Sequence, residues 1–256
     1  MGGSQVKNAN PNPLTKITID IVCAKVRQYI VVERDRKIEQ LFRQEGRLLE
    51  SVKKTHLEVT ELRTNAVSNI NLLKWIQGAN MVYHYVKILE AHSLALERGQ
   101  YNPQEIAELL PSISSVIWST GPLNLTAINE FNYLVNRHFS QTLYQEARAG
   151  KNVDEKLKKN FATLLPTAFE IDDYLKDFFR RHADQIDDNM RKEHLNSMMK
   201  YNKEHGGKYG APPSNYDPSD VNTKKGDQTT IISNFNGDTN NTGIDPNDPN
   251  NFSQGN

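Results

Sequence analysis

Between Pro13 and Pro103 the chain carries no proline, and only Gly46, Gly78 and Gly99 interrupt a run crowded with Leu, Glu, Lys, Arg and Gln. Those five side chains lose little rotamer freedom in a helix, and a span with so few breakers is best filled by two long helices. The opening LTKITIDIV alternates Ile17, Ile19 and Ile21 as a strand would. Ile17, Ile21 and Ala24 also fall at helical spacing, and no breaker follows, so helix is expected. In KKTHLEV, Thr55 and Glu58 have the spacing of a capping box, which predicts the start of a second helix near His56. That helix should cover residues 56–98 and stop at Gly99, a residue suited to a left-handed C-terminal cap, giving about 65 Å of rod. A rod of that length exceeds a compact globule, so an elongated hairpin of two antiparallel helices is implied.

Shorter helices should follow. Asn102-Pro103-Gln104-Glu105 supplies a cap, a proline for the first helical position and an early acidic residue, opening a helix to Leu110. Further helices are expected over 112–119, over 124–149 with a stop at Gly150, after Asn152 with Glu155, and from Thr167 with Glu170. The fold class is all-α, with the shorter helices packed against the hairpin. Trp118 precedes Gly121-Pro122, and the three residues read as a structural anchor: the indole fills the junction and Gly-Pro reverses the chain. Leu123, Leu125, Ile128, Phe131, Leu134 and Val135 should then pack along the hairpin, with Phe169, Tyr174, Leu175 and Phe178 closing it.

Composition divides the chain. Beyond Gly206 there is no leucine, and Gly, Pro, Asn, Asp, Ser and Thr dominate, a mixture that buries too little apolar surface to offset its ordering entropy. Residues 206–256 and 1–13 are therefore expected to be disordered, 14–185 to form the helical core, and 186–205 to be a short helix or a linker. The 31 basic and 31 acidic side chains cancel, so nothing draws the whole chain to nucleic acid or anionic lipid, and any such pull is local. One cysteine, Cys23, allows no internal disulfide and suits a reducing compartment. No run approaches the roughly 20 apolar residues of a membrane span, and no charged-then-apolar leader is seen, so a soluble intracellular protein is expected. MGGSQV has the glycine of an acylation signal but Val6 where a hydroxyl residue belongs, so acylation is not expected.

No constellation argues for catalysis. His84 and His92 lie too far apart along the helix for a helical zinc pair, Glu90 stands between them, and Cys23 has no evident activating partner. A phosphate-cradling loop and a nucleophile elbow are both missing. Catalytic residues, metal and cofactor are all expected to be absent. The first helix does carry a local basic excess, through Lys16, Lys25, Arg27, Arg34, Arg36, Lys37, Arg43 and Arg47 with Lys53 and Lys54 behind them. It reads either as a solvated face laced with pairs such as Glu33 with Lys37 and Glu39 with Arg43, or as a weak binder of anionic membrane at about 1 kcal/mol per basic group.

SVIWSTGPLNLTAINEFNYLVNRHFSQTLYQEA and VDEKLKKNFATLLPTAFEIDDYLKDFFRRH carry a resemblance. The first block is similar to the helix-three to helix-four region of the Increased Sodium Tolerance family, the ESCRT-III-related regulators of endosomal sorting. The second is similar to the family's Val-Asn-x-Arg-Leu helix, its proline-containing link and its closing helix. With the hairpin ahead of them, the resemblance covers about residues 14–183. It departs in the second helix, where only Arg63 matches the family's charged cluster and Asn65, Asn69 and Asn71 stand instead. The leucine-rich motif that docks on the MIT domain of the filament-dismantling AAA ATPase is also missing from the C-terminus. DNMRKEHLNSMMK, with Asp188, His194 in place of arginine, Leu195, Met198 and Lys200, reads either as an extension of the last core helix or as a displaced substitute for that motif. The resemblance implies a non-enzymatic subunit in multivesicular-body sorting and cell division, cytoplasmic and peripheral on endosomal membranes. Its implied partners are other ESCRT-III subunits, the MIT-bearing ATPase, anionic membrane and a second copy of itself, with no nucleic acid. A plain helical adaptor is the alternative.

Overall fold

In a computed structural model the described residues are 13–162 and 165–205. The expected disorder of 1–12 and 206–256 falls outside them. Among the described residues every regular element is helical. Helix α1 spans Lys16–Lys54 and α2 spans Val59–Ala91. They run antiparallel, since Arg27 reaches Glu90, Arg34 reaches Asn80 and Gln44 reaches Ser68. Thr15 caps α1 by accepting from the Thr18 amide, and the Gln100 carboxamide brackets Leu14, accepting from its N–H at 3.0 Å and donating to its carbonyl at 2.8 Å. The strand-like isoleucines are helical, but the buried stripe is Ile19, Cys23, Val26 and Ile30, while Ile17 and Ile21 face solvent.

Several boundaries differ from expectation. Thr55 is the C-cap of α1, not the N-cap of α2: its hydroxyl points back to the Ser51 carbonyl, and α2 opens from Glu58 with no side-chain cap. Burial of Leu57 in the connection sets that turn instead of the capping box. The second rod is broken at His92, whose ring bonds the Ile88 carbonyl, and α3 (Ser93–Gly99) follows with Ser93 and Leu96 buried. Gly99 is not a left-handed cap. It is small because a Cβ there would come within 2.3 Å of Ile106 Cγ2 on the following 3-10 helix, Pro103–Leu109.

Helix α4 (Leu110–Leu123) runs straight through Gly121 and Pro122 and ends where Asn124 adopts a left-handed backbone, φ 51° and ψ 43°. Asparagine is one of the few side chains that tolerates this region, so Asn124 makes the reversal assigned to Gly-Pro. Trp118 is half-buried and sits 6.3 Å, ring to ring, from Phe161 of α7 (Glu155–Phe161). The second tryptophan, Trp75, makes the tie expected of the first: its indole N–H donates to the Leu123 carbonyl at 3.1 Å, fastening α2 to the end of α4. The long fourth helix is two, α5 (Ile128–His138) and α6 (Gln141–Arg148), because Ser140 caps a fresh start; Gly150 follows at φ 88°. Asp154, not Asn152, caps α7, and Asn152 is itself left-handed at φ 59°. Helix α8 (Ala168–Arg181) begins at Thr167 with the full capping box to Glu170, as expected. Helix α9 (Asp188–His205) then packs back on the hairpin.

Two apolar clusters form along α1 and α2. One joins Leu14 to Ile30 with α4, α5 and Leu157; the other joins Leu48, Leu49, Val52, Leu62, Ala66 and Ile70 with α8 and Met198 of α9. Leu123, Leu125, Ile128, Phe131, Leu134 and Val135 are buried in the first, and Tyr174, Leu175 and Phe178 in the second, with Phe169 half-buried.

Candidate functional site

The eight basic residues assigned to one face of α1 do not share it. Arg27, Arg34 and Lys37 turn toward α2. Arg27 pairs with Glu90 at 2.9 Å, Arg34 bonds Asn80 and Asp35, and the Lys37 ammonium lies 5.8 Å over the Trp75 ring. Lys25, Arg36, Arg43 and Arg47 face outward. Lys16, also exposed, pairs with Asp20 near the first turn. Helical periodicity accounts for the split, because Lys25 and Arg27, like Arg34 and Arg36, are two residues apart and so point to nearly opposite sides of the helix.

Beside the outward basic row runs an apolar strip. Ile17 is 70% exposed, Ile21 61%, Val32 58% and Phe42 53%, far more than a closed core would leave. The sequence held one signal for it: Ile17 and Ile21 repeat at helical spacing out of phase with Ile19, Cys23, Val26 and Ile30, so only one set could meet the core. The outward cations have partners at the surface, Lys25 with Glu130 at 2.6 Å, Arg36 with Glu33 at 3.6 Å and Arg43 with Glu39 at 2.9 Å. Exposed pairs of this kind contribute little and exchange readily for another anion. The Glu33 pair is thus with Arg36, not Lys37.

The residues named as a displaced docking motif lie on α9, but they do not form a presented face. His194 is fully buried and Met198 nearly so, Leu195 is half-buried, and Asp188 and Lys200 are exposed. The apolar side of α9 is already spent on the core. Arg63, the one position of α2 that the resemblance matched, is buried and clasps Asp172 at 2.5 Å and Asn202 at 3.2 Å, with Tyr201 under its guanidinium. Asn69 is buried as well and donates to the Tyr174 hydroxyl. Arg63 and Asn69 therefore hold α8 and α9 against α2.

His84, Glu90 and His92 do not converge: both histidines are exposed, the carboxylate is engaged by Arg27, and the His92 ring bonds its own helix. Burial pushes the Cys23 thiol up to about 12, with Glu90 and Asp20 adding to it, so the thiol stays protonated and acts as a small apolar group. Among the described residues no cluster of three or more His, Cys, Asp or Glu is placed to hold a metal, and no helix is long and apolar enough to cross a membrane.

Fold and surface together define an all-helical protein built on two long antiparallel helices, one of which turns an apolar and basic face outward. No protein-family model matches the chain, and no curated protein matches it.

Proposed function

We propose that the chain is a non-enzymatic, ESCRT-III-related subunit that works at endosomal or division-site membranes in multivesicular-body sorting. In this reading it joins other ESCRT-III subunits and further copies of itself, and modulates the AAA ATPase that dismantles their filaments. The outward face of α1 carries the reading. Ile17, Ile21, Val32 and Phe42 stand free beside Lys25, Arg36, Arg43 and Arg47, the pairing of apolar and basic side chains that lets a helix lie on an anionic lipid surface. The hairpin and its buttress of short helices agree with the order of elements that the sequence resemblance implies. Contact with an MIT domain would fall to Leu195 and Met198, which must first leave the core.

Sedimentation with vesicles tests it. The full chain should pellet with acidic vesicles at low salt and much less with neutral ones, and reversing Lys25, Arg36, Arg43 and Arg47 to glutamate should remove the difference. Equal pelleting with both vesicle types would overturn the membrane role. The intermixed acids Asp35, Glu39 and Glu50 on the same helix favour a second reading, a helical adaptor that offers this face to a protein. Electron microscopy with and without vesicles separates the two, since an adaptor forms no membrane-bound polymer.

A further inference from the structure

Helix α9 is seated by an unusual contact. The His194 imidazole, with no solvent exposure, stacks on His56 of the α1–α2 connection at 4.7 Å and 11°, and on the other side lies 5.5 Å from the Phe179 ring of α8. Neither of its ring nitrogens completes a hydrogen bond of good geometry, and the Val52 carbonyl is the polar acceptor beside the ring, so a polar side chain is held in its slot chiefly by ring contact. The groups that face it are few. The connection contributes His56, α9 contributes Glu193, whose carboxylate is 3.9 Å from the His56 ring, and the end of α1 contributes the Val52 carbonyl. From α8 the contact is the Phe179 ring, with His182 one turn on against Phe178. A tryptophan or leucine would have filled the slot without a titratable atom.

We infer that α9 is a proton-released latch: protonation of His194 places a cation between His56 and Phe179 and drives the helix from its seat on α2 and α8. A charged imidazole there has no anion against its ring. Glu193 is nearest to His56, whose own proton would add repulsion rather than relief. Burial, then the His56 ring, hold the His194 imidazole below its ordinary range against the opposing Val52 carbonyl and Glu193. A depressed value means that the seated state is favoured above the free histidine pKa of about 6.5 and loses ground as pH falls toward the lowered value. Between those limits the released population should rise about tenfold for each pH unit. Release bares Leu195 and Met198 on the helix together with part of the apolar cluster they share with Val52, Leu57 and Leu62. The Arg63, Asp172 and Asn202 clasp at the other end of α9 acts as the hinge side, and the histidine nearest to it, His205, stacks on Tyr201 within α9 itself. None of this depends on the function proposed above.

Hydrogen exchange of the full chain, read by mass spectrometry at about pH 7.5 and about pH 5.5 and corrected for intrinsic rates, decides the matter. Amides of Asp188–His205 should lose up to about tenfold in protection at the lower pH while α1 and α2 keep theirs. His194→Phe keeps the ring stack without the proton and should abolish the pH step; His182→Gln should retain it. A flat α9 response in the wild type, a full step surviving in His194→Phe, or a step lost in His182→Gln would each overturn the latch. Should His194→Phe not fold, His194→Gln and the proton titration of the wild-type ring by nuclear magnetic resonance replace it. A His194 ring that titrates with no accompanying shift of α9 amides would be equally fatal.

Discussion

At the scale of single residues, the polar knot around Glu45 is the contact whose chemistry is most exposed to measurement. Its carboxylate accepts from the Tyr174 hydroxyl at 2.6 Å and from Arg181 at 2.8 Å, while Asn69 donates to the same tyrosine and Asp177 holds the other side of the guanidinium. Burial works against the ionised form, yet the hydrogen bonds from Arg181 and Tyr174 outweigh it and hold Glu45 below the usual carboxylate range. A depressed carboxylate stabilises the fold above the ordinary glutamate pKa, near about 4.3, and that contribution disappears as pH falls through the lowered value. Glu45→Gln should cost about 1 to 3 kcal/mol at neutral pH, because Arg181 and Tyr174 lose a charged acceptor in a largely buried place. The difference between wild type and variant should shrink as denaturant curves are repeated toward acid. A difference that stays constant from neutral pH to acid would mean that Glu45 carries no proton-linked stability.

At the scale of elements, two copies of one signal have different fates. Thr55 with Glu58 and Thr167 with Glu170 share the same spacing, but only the second pair closes a box, with Glu170 bonding the Thr167 amide at 2.7 Å and Thr167 accepting from the Glu170 amide at 3.2 Å. Thr167→Ala should therefore lower stability by about 1 kcal/mol, whereas Thr55→Ala should stay within about 0.5 kcal/mol of wild type in the same denaturation assay. Equal losses at both sites would mean that the two caps are alike after all. The contrast shows what could be read in the chain and what could not. The breaker-free span made two long helices legible, and inward periodicity made the core of α5 and α8 legible. The interruption at His92 and the burial of His194 carry no local signature, because each is set by what packs against it, whereas the fresh start at Ser140 has a local signal in its N-cap serine. The candidate site was half legible for the same reason. Basic residues can be counted, but which of them turn outward depends on where α2 lies, and Arg27, Arg34 and Lys37 turned inward.

At the scale of the whole helical body, cohesion is divided. The two apolar clusters share α1 and α2 but no buried side chain, and Leu41, Leu72 and Ile76, buried between them, belong to neither. Helices α4 to α6 depend on the first cluster, α8 and α9 on the second, and the long rods run through both. Stability in such a body should be regional, since local opening follows the contacts that each segment makes. Leu62, without solvent exposure, lies in the second cluster, and Phe131, at 2%, lies in the first. Leu62→Ala should cost about 2 to 5 kcal/mol, with the loss of hydrogen-exchange protection concentrated in α8, α9 and residues 48–54. Phe131→Ala, at about 3 to 5 kcal/mol, should strip protection from α4, α5 and α6 and spare α8. Matched losses across both regions from either substitution would show that the rods transmit strain from end to end and that the body unfolds as one unit. Regional losses would show that α8 and α9 can open while the first cluster keeps α1 and α2 paired, which is the condition a releasable terminal helix needs.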